Sequence, residues 1–383
     1  MLKNIAIIAA GQGAPQGDEN YCDNGIPFVK AGNLVELVEG KPITEIQKVS
    51  DEVAKKHKLR LYKKGSVLFA KSGMSCLKGY VYVLPQDAYV VSHLACVTPN
   101  EDISEYLRYY FQYNRPNKLI KDEAYPSISL ADIEELKIDI KTQIERDSIV
   151  RDLASVAHLI GLQKKQLQEF DTLIKSRFVE MFGDISRNEY KYETKKLGDV
   201  ANVGSSHRVF TNEFVEEGVP FYRGTEIGEL AVGQIPINPY RISEEHYLRL
   251  ASDETKPQIG DLLMPSICNK GQIWMVDTNK PFYYKDGRVL CISANREIYN
   301  TKYLQYYMRA KTEIEYPKLG SGSTFAEFKI FLLKDLDILT PPKAVQNQFA
   351  TFVHQTDKLK LTAKEGLKKL EIMQKALMQQ YFC

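Results

Sequence analysis

Apolar residues recur every seven positions between residues 143 and 182: Leu153, Ile160, Leu167, Ile174 and Met181, with Ile149, Val156 and Phe170 interleaved. This spacing predicts a long helix with one narrow seam that packs lengthwise on another helix. At about 1.5 Å per residue such a helix is roughly 60 Å long. A rod of that kind is not stable alone, because its apolar stripe needs a partner of comparable length. The stretch 345–382 supplies one, with a less regular stripe through Phe349, Phe352, Leu359, Ala363, Leu367, Leu370, Met373 and Leu377.

The two stretches also resemble each other, Leu167 against Leu367, Lys175 against Lys375 and Phe182 against Phe382, about 200 residues apart. The likeness extends upstream. Gly25-Ile26-Pro27-Phe28 is echoed by Gly218-Val219-Pro220-Phe221, Lys64 to Leu68 by Ile259 to Leu263, and Tyr106 to Tyr110 by Tyr303 to Tyr307. Matches that keep their order and spacing mark an internal repeat. The chain is therefore read as α+β. Two similar α/β units, 1–140 and 184–340, alternate with a central helix, 141–183, and a C-terminal helix, 341–383. The two helices are expected to run antiparallel as an intramolecular coiled coil, giving a pseudo-two-fold repeat.

Within the first unit, short strands are expected at 67–70, 80–84 and 89–91, separated by tight turns. Residues 5–10 are expected to form a buried first strand, and 101–114 a helix whose tyrosines lie in and beside the core. Gly183 stands where a glycine ends a helix, and Pro341-Pro342 where prolines open one.

With 383 residues, 44% of them hydrophobic and 26% charged, the chain is long enough for two domains. No apolar run reaches bilayer length. The six cysteines are scattered singly, which points away from zinc and disulfide frameworks and fits a reducing cytoplasm. A net charge of +2 neither demands nor excludes nucleic acid, so local clusters decide.

Such clusters lie in loops. The basic window 55–64 is either a solvated amphipathic turn or a phosphate contact. Lys71, Ser72 and Lys78 flank a flexible glycine-bounded loop, and Arg115, Asn117 and Lys118 follow the tyrosine-rich helix. In the second half His207 and Arg208, then Asn269 and Lys270, occupy comparable loops, while Ser321 and Ser323 offer hydroxyls and backbone N–H groups to a phosphate. Arginine and asparagine are the side chains that pair bidentately with guanine and adenine edges. Phosphate loops, HExxH and GxSxG are absent, and Asn238-Pro239-Tyr240 reads as a turn. No catalytic, cofactor or metal residue is assigned. Two similar, motif-free units on rods favour binding over catalysis.

The arrangement resembles the specificity (S) subunit of type I restriction-modification enzymes over essentially the whole chain. The residues that carry the likeness are Leu197 to Val200, Gly25 to Phe28, Lys64 to Leu68, Gly322 to Phe325 and the Pro-Pro entry to the last helix. In the first unit Asn4-Ile5-Ala6 stands in place of Leu-Gly-Asp, and Ala124 to Ile128 in place of Gly-Ser-Thr-Phe. The resemblance implies two target-recognition domains on double-stranded DNA, each reading half of a bipartite site, with the helices setting the spacer. It implies a non-catalytic cytoplasmic subunit that holds two modification (M) methyltransferase subunits and works with restriction (R) subunits. S-adenosylmethionine, ATP and Mg²⁺ are then expected in those partners, not here. The alternatives are a coiled-coil scaffold without a DNA role, or a type II restriction or methyltransferase fragment.

Overall fold

A computed structural model describes residues 1–319 and 326–383. It contains two compact units: Met1–Lys165 with Lys364–Cys383, and Gln166–Ala363. The central helix, Gln143–Phe182, and the C-terminal helix, Lys343–Phe382, each give one half to one unit and the other half to the other.

The first unit is built on a four-stranded antiparallel sheet in the order Ala6–Ala10, Leu94–Pro99, Val67–Ala70, Val81–Val83. Beside it, Ile26–Val29 pairs antiparallel with Lys48–Val49 and parallel with Tyr89–Val90. Val67 to Phe69 are almost wholly buried because β-branched, aliphatic and aromatic residues fill a strand covered on both faces. Ahead of this strand Gly65 takes φ 87°, and Gly260 takes 89° at the matching turn, a conformation that side chains with a Cβ resist. The strand 6–10 forms, but as an edge of the sheet: Ala6 is buried while Ile7 is 53% exposed.

The second unit repeats this plan. Its main sheet runs Trp274–Met275, Leu262–Pro265, Val289–Ala294, Ala201–Gly204, and a second sheet pairs Val219–Tyr222 parallel with Tyr283–Tyr284. The repeat holds at the level of single bonds. Leu2 N–H donates to the Leu136 carbonyl at 2.8 Å and Leu197 N–H to Leu336 at 2.9 Å. Asn100 donates to Ile5 and Asn295 to Val200. Leu2-Lys3-Asn4 thus occupies the place of Leu197-Gly198-Asp199, a closer match than the offset read from Asn4-Ile5-Ala6.

An aromatic helix in each unit receives the end of a long helix. In the first, Ser104–Tyr113 places Tyr106 and Tyr110 with ring centroids 5.4 and 6.0 Å from Phe382, and their hydroxyls donate to the Asp139 and Lys137 carbonyls. In the second, Thr301–Glu315 places Tyr303 4.6 Å from Phe182, and Tyr303 and Tyr307 donate to Leu339 and Asp337.

The helices run antiparallel within each unit. In the first, Ile149, Leu153, Val156 and Ile160 are buried, Leu367, Leu370 and Leu377 are half-buried, and the Tyr381 hydroxyl reaches Asp152 at 2.9 Å. In the second, Leu167 is half-buried and Ile174 buried, facing Phe349, Val353, Thr356 and Ala363. Leu359 and Met373 are exposed, contrary to the stripe read from hydrophobicity. The seam passes one residue further on, through Thr356 and Lys360, because alternating steps of three and four from Phe349 lead there. Lys360 is accommodated by its ion pair with Asp171.

Phe349 is fully buried against Phe178, Phe182 and Tyr306, with centroids 5.4 to 5.5 Å apart. Phe349→Ala is expected to cost about 3 to 5 kcal/mol of the second unit's stability. Denaturant unfolding followed by tyrosine and tryptophan fluorescence checks this; a loss below about 1 kcal/mol contradicts the packing role.

Candidate nucleic-acid interface

Beyond the parallel strand pair of each unit the chain makes a polar edge from three segments. The first follows the Pro-Phe strand. There the Lys30 N–H donates to Asn33 Oδ1 at 2.9 Å, and the equivalent Arg223 N–H donates to Glu226 Oε2 at 2.8 Å. Both cations are held over a ring, Lys30 Nζ 4.3 Å from the Tyr21 centroid and Arg223 4.6 Å from Tyr240. Burial raises the pKa of Glu226, but hydrogen bonds from the Arg223 side chain and backbone outweigh it, so the carboxyl stays below its usual range.

The other two segments are tied together by backbone bonds that recur between the units. Lys71 N–H donates to the His93 carbonyl at 2.9 Å, and Ser266 N–H to Arg288 at 2.9 Å. Ile128 N–H donates to the Lys71 carbonyl at 2.7 Å, and Phe328 N–H to Ser266 at 2.7 Å. Lys71, His93 and Ser127 therefore occupy the places of Ser266, Arg288 and Glu327. The frame is common and the side chains are unlike. In the first unit Ser72 Oγ lies 2.8 Å from His93 Nδ1. In the second, Arg288 donates to Glu327 at 2.7 Å, and Glu327 also receives Ser266 Oγ and Lys329. The Lys329 hydrogen bond keeps the Glu327 carboxyl below its usual pKa.

In the second unit this edge borders a cleft of 680 Å³, where Arg223, Lys285 and Arg288 outnumber Glu229 in charge. His207 and Arg208 lie beside it. Ser205 and Ser206 anchor their segment to the Val289 and Tyr284 carbonyls, and Arg208 Nε is 3.7 Å from Asp286. His207 pairs with Asp253 at 2.7 Å, a hydrogen bond that holds Asp253 down to about 2.

Among the residues expected from sequence, Lys71 and Ser72 stand on the frame. Asn269 and Lys270 lie on the exposed loop after Leu262–Pro265, where Gln272, which lines the cleft, bonds Asn269 Oδ1 and the Lys270 N–H. Lys78, Arg115 and Lys118 are exposed together on two packed 3₁₀ turns, while Asn117 is half-buried and its amide binds the Leu77 carbonyl at 2.9 Å, which makes it a tie between those turns. Ser321 and Ser323, with the Gly322–Phe325 pattern, lie outside the described residues. Lys55, Lys56, His57 and Lys58 end the helix Asp51–Lys56 and its turn, all exposed. Lys30, His93, Arg223, Lys285, Arg288 and Glu327 were not anticipated. The signal available was the repeat itself: aligning Lys30 under Arg223, two residues after the phenylalanine of Gly-x-Pro-Phe, marks a cation kept in both copies.

Residues 2–170 and 189–372 match the family model described as the type I restriction modification DNA specificity domain. Over 149 residues the chain is 30% identical to the type I restriction enzyme MjaIX specificity subunit of Methanocaldococcus jannaschii, covering 37% of this chain and 33% of that one. The match thus spans about a third of that relative's length. The S subunit of a type I restriction-modification system from M. genitalium superposes with a TM-score of 0.56 at 13% identity, over 100% of this chain and 95% of that one. A structure described in terms of complex assembly and conformational transition of the type I R-M system gives 0.59 at 18% identity, over 100% and 96%. At these identities the two structures show a shared fold. Neither a bare scaffold nor a type II fragment finds support in these matches.

Glu226→Ala removes a buried acceptor from both the Arg223 backbone and its guanidinium, and is expected to cost about 1 to 3 kcal/mol. Asn33→Ala, which removes only the acceptor of the Lys30 N–H, is expected to cost about 1 kcal/mol. Thermal and denaturant unfolding of both variants measures the difference; equal losses contradict the added role of the Arg223 ion pair.

Proposed function

The chain belongs to the type I restriction modification DNA specificity family, and from this we propose that it is the DNA-reading subunit of a type I restriction-modification complex, each unit reading one half of a bipartite target. The observation that carries this reading is the shared backbone frame with exchanged side chains: Lys71, His93 and Ser127 against Ser266, Arg288 and Glu327. One docking geometry with two sets of polar side chains is what recognition of two unlike half-sites requires, since phosphate contacts position and base contacts specify.

On this reading the subunit is non-catalytic and cytoplasmic. Modification subunits carry S-adenosylmethionine and methylate adenine, and restriction subunits use ATP and Mg²⁺. The half-exposed outer surfaces of the long helices are offered to the modification subunits, and the helix pair sets the unread spacer. Among the described residues no helix is long and apolar enough to cross a membrane, and the six cysteines are free, both compatible with that setting.

Mapping methylated adenines in a host that makes this chain with its modification subunit tests the reading. Replacing residues 1–140 by the equivalent unit of a relative is expected to change one half of the methylated sequence; a change in both halves, or methylation without sequence preference, overturns it. Inserting seven residues into both helices, between Ile160 and Leu167 and between Lys360 and Leu367, preserves each seam. The insertion adds about 10 Å of helix. With a base pair every 3.4 Å or so, the unread spacer is expected to lengthen by about three base pairs while both half-sites stay the same. An unchanged spacer with full activity shows that the helices are not the ruler.

A further inference from the structure

Resting on that reading, we propose that Arg288, oriented by Glu327, reads a guanine in the half-site bound by the second unit. The backbone of Arg288 is fixed at two points. Its carbonyl accepts the Ser266 N–H at 2.9 Å, and its own N–H donates to the Asp286 carbonyl at 2.7 Å across a turn in which Gly287 takes φ 62°. Its side chain is 57% exposed at the rim of the cleft, and Glu327 takes one guanidinium donor at 2.7 Å. Among the described residues no other acceptor engages that guanidinium, so the remaining donors of the fork face outward.

Glu327 is suited to an orienting part. Its side chain is only 19% exposed, and Ser266 and Lys329 hold it from two further directions. An arginine whose rotamer is fixed by a buttressing carboxylate presents a rigid pair of N–H groups, and in a major groove the partner that matches such a pair is guanine, through O6 and N7. The carboxylate also tells against a phosphate as the partner, because an anion brought to this guanidinium would meet Glu327 as well. Lys285, exposed on the same turn and without a carboxylate partner among the described residues, is the phosphate contact. The equivalent position in the first unit holds His93 with Ser72 on its Nδ1, so the two units read different bases at the same place in the frame.

Adenine-methylation mapping with the wild-type chain, Arg288→Ala, Glu327→Gln and Lys285→Ala tests this. Arg288→Ala is expected to lose about tenfold or more of the discrimination at one G·C pair in one half-site, with the other half-site unchanged. Glu327→Gln, which keeps the arginine and frees its orientation, is expected to relax the same pair and no other. Lys285→Ala is expected to lower methylation uniformly over all sites without altering the sequence. The proposal is overturned if Arg288→Ala keeps the wild-type sequence with uniformly weaker methylation, if the relaxed position is an A·T pair, or if the second unit's half-site contains no guanine. If Arg288→Ala yields no complex, Glu327→Gln decides by the same criteria. A wild-type chain that directs no sequence-specific methylation defeats the proposed function itself, an outcome distinct from all of these.

Discussion

Each globular unit is closed by a phenylalanine that arrives on the end of a long helix, and the rest of the structure depends on that closure. Phe182 is fully buried among Phe178, Tyr303 and Phe349 in the second unit; Phe382 packs on Tyr106, Tyr110 and Tyr113 in the first. Burying such a ring stabilises by roughly 1.5 to 3 kcal/mol, a sizeable share of a typical domain's net stability. Phe382 follows the second unit in sequence, so the core of the first unit is incomplete until the second has been made. Tyrosines of the receiving helices use their hydroxyls to hold the strand or loop leading toward each long helix, through Asp139 and Lys137 in one unit and Leu339 and Asp337 in the other. One small aromatic cluster thus joins sheet, helix entry and helix end.

With the scaffold fixed in this way, the polar edge is free to vary. The bonds that define the edge are backbone to backbone, so exchanging Lys71 for Ser266 or Ser127 for Glu327 leaves them intact. At the exposed positions of the edge, such as Lys285 and Arg288, substitutions change stability by only tenths of a kilocalorie per mole. The side chains that do bear structural weight are the acceptors three residues beyond each held cation, Asn33 and Glu226, and they differ in chemistry while keeping the same hydrogen bond to the backbone. Function can drift at such an edge without the fold following it.

The long helices, the repeat and the tyrosine-rich helix were legible in the sequence because each is a short-period pattern or a run repeated at a fixed offset. The seam was legible only in part. Hydrophobicity favours Leu359 over Lys360, yet the steps from Val353 through Thr356 to Ala363 place residue 360 inside, and no pattern of apolar letters announces a buried lysine stem whose charge is met by Asp171. The site was less legible still. Arg288, Glu327 and Ser266 come together through strand pairing and a chain crossing, and their separations in sequence carry no period. Asn117, chosen for its base-pairing chemistry, also gives one amide N–H to the Leu77 carbonyl, a tie that sequence spacing does not announce.

Charge follows from the same geometry. Around the cleft of the second unit Arg223 faces Glu226, Arg288 faces Glu327 and Arg208 approaches Asp286. Cations matched in this way contribute little to the diffuse attraction that draws a basic protein to any DNA, which agrees with a chain whose net charge is +2. Their value lies in orientation. A buttressed guanidinium holds its donors in one direction, and its carboxylate is repelled by a phosphate but tolerated beside a base edge that offers only acceptors to the arginine. A wrong base leaves that pair desolvated without a partner, at a cost of about 1 to 3 kcal/mol per unmet group. Under the proposed function, discrimination then rests on the penalty for the wrong sequence, and the unspecific affinity that the subunit forgoes is left to the proteins proposed to assemble with it.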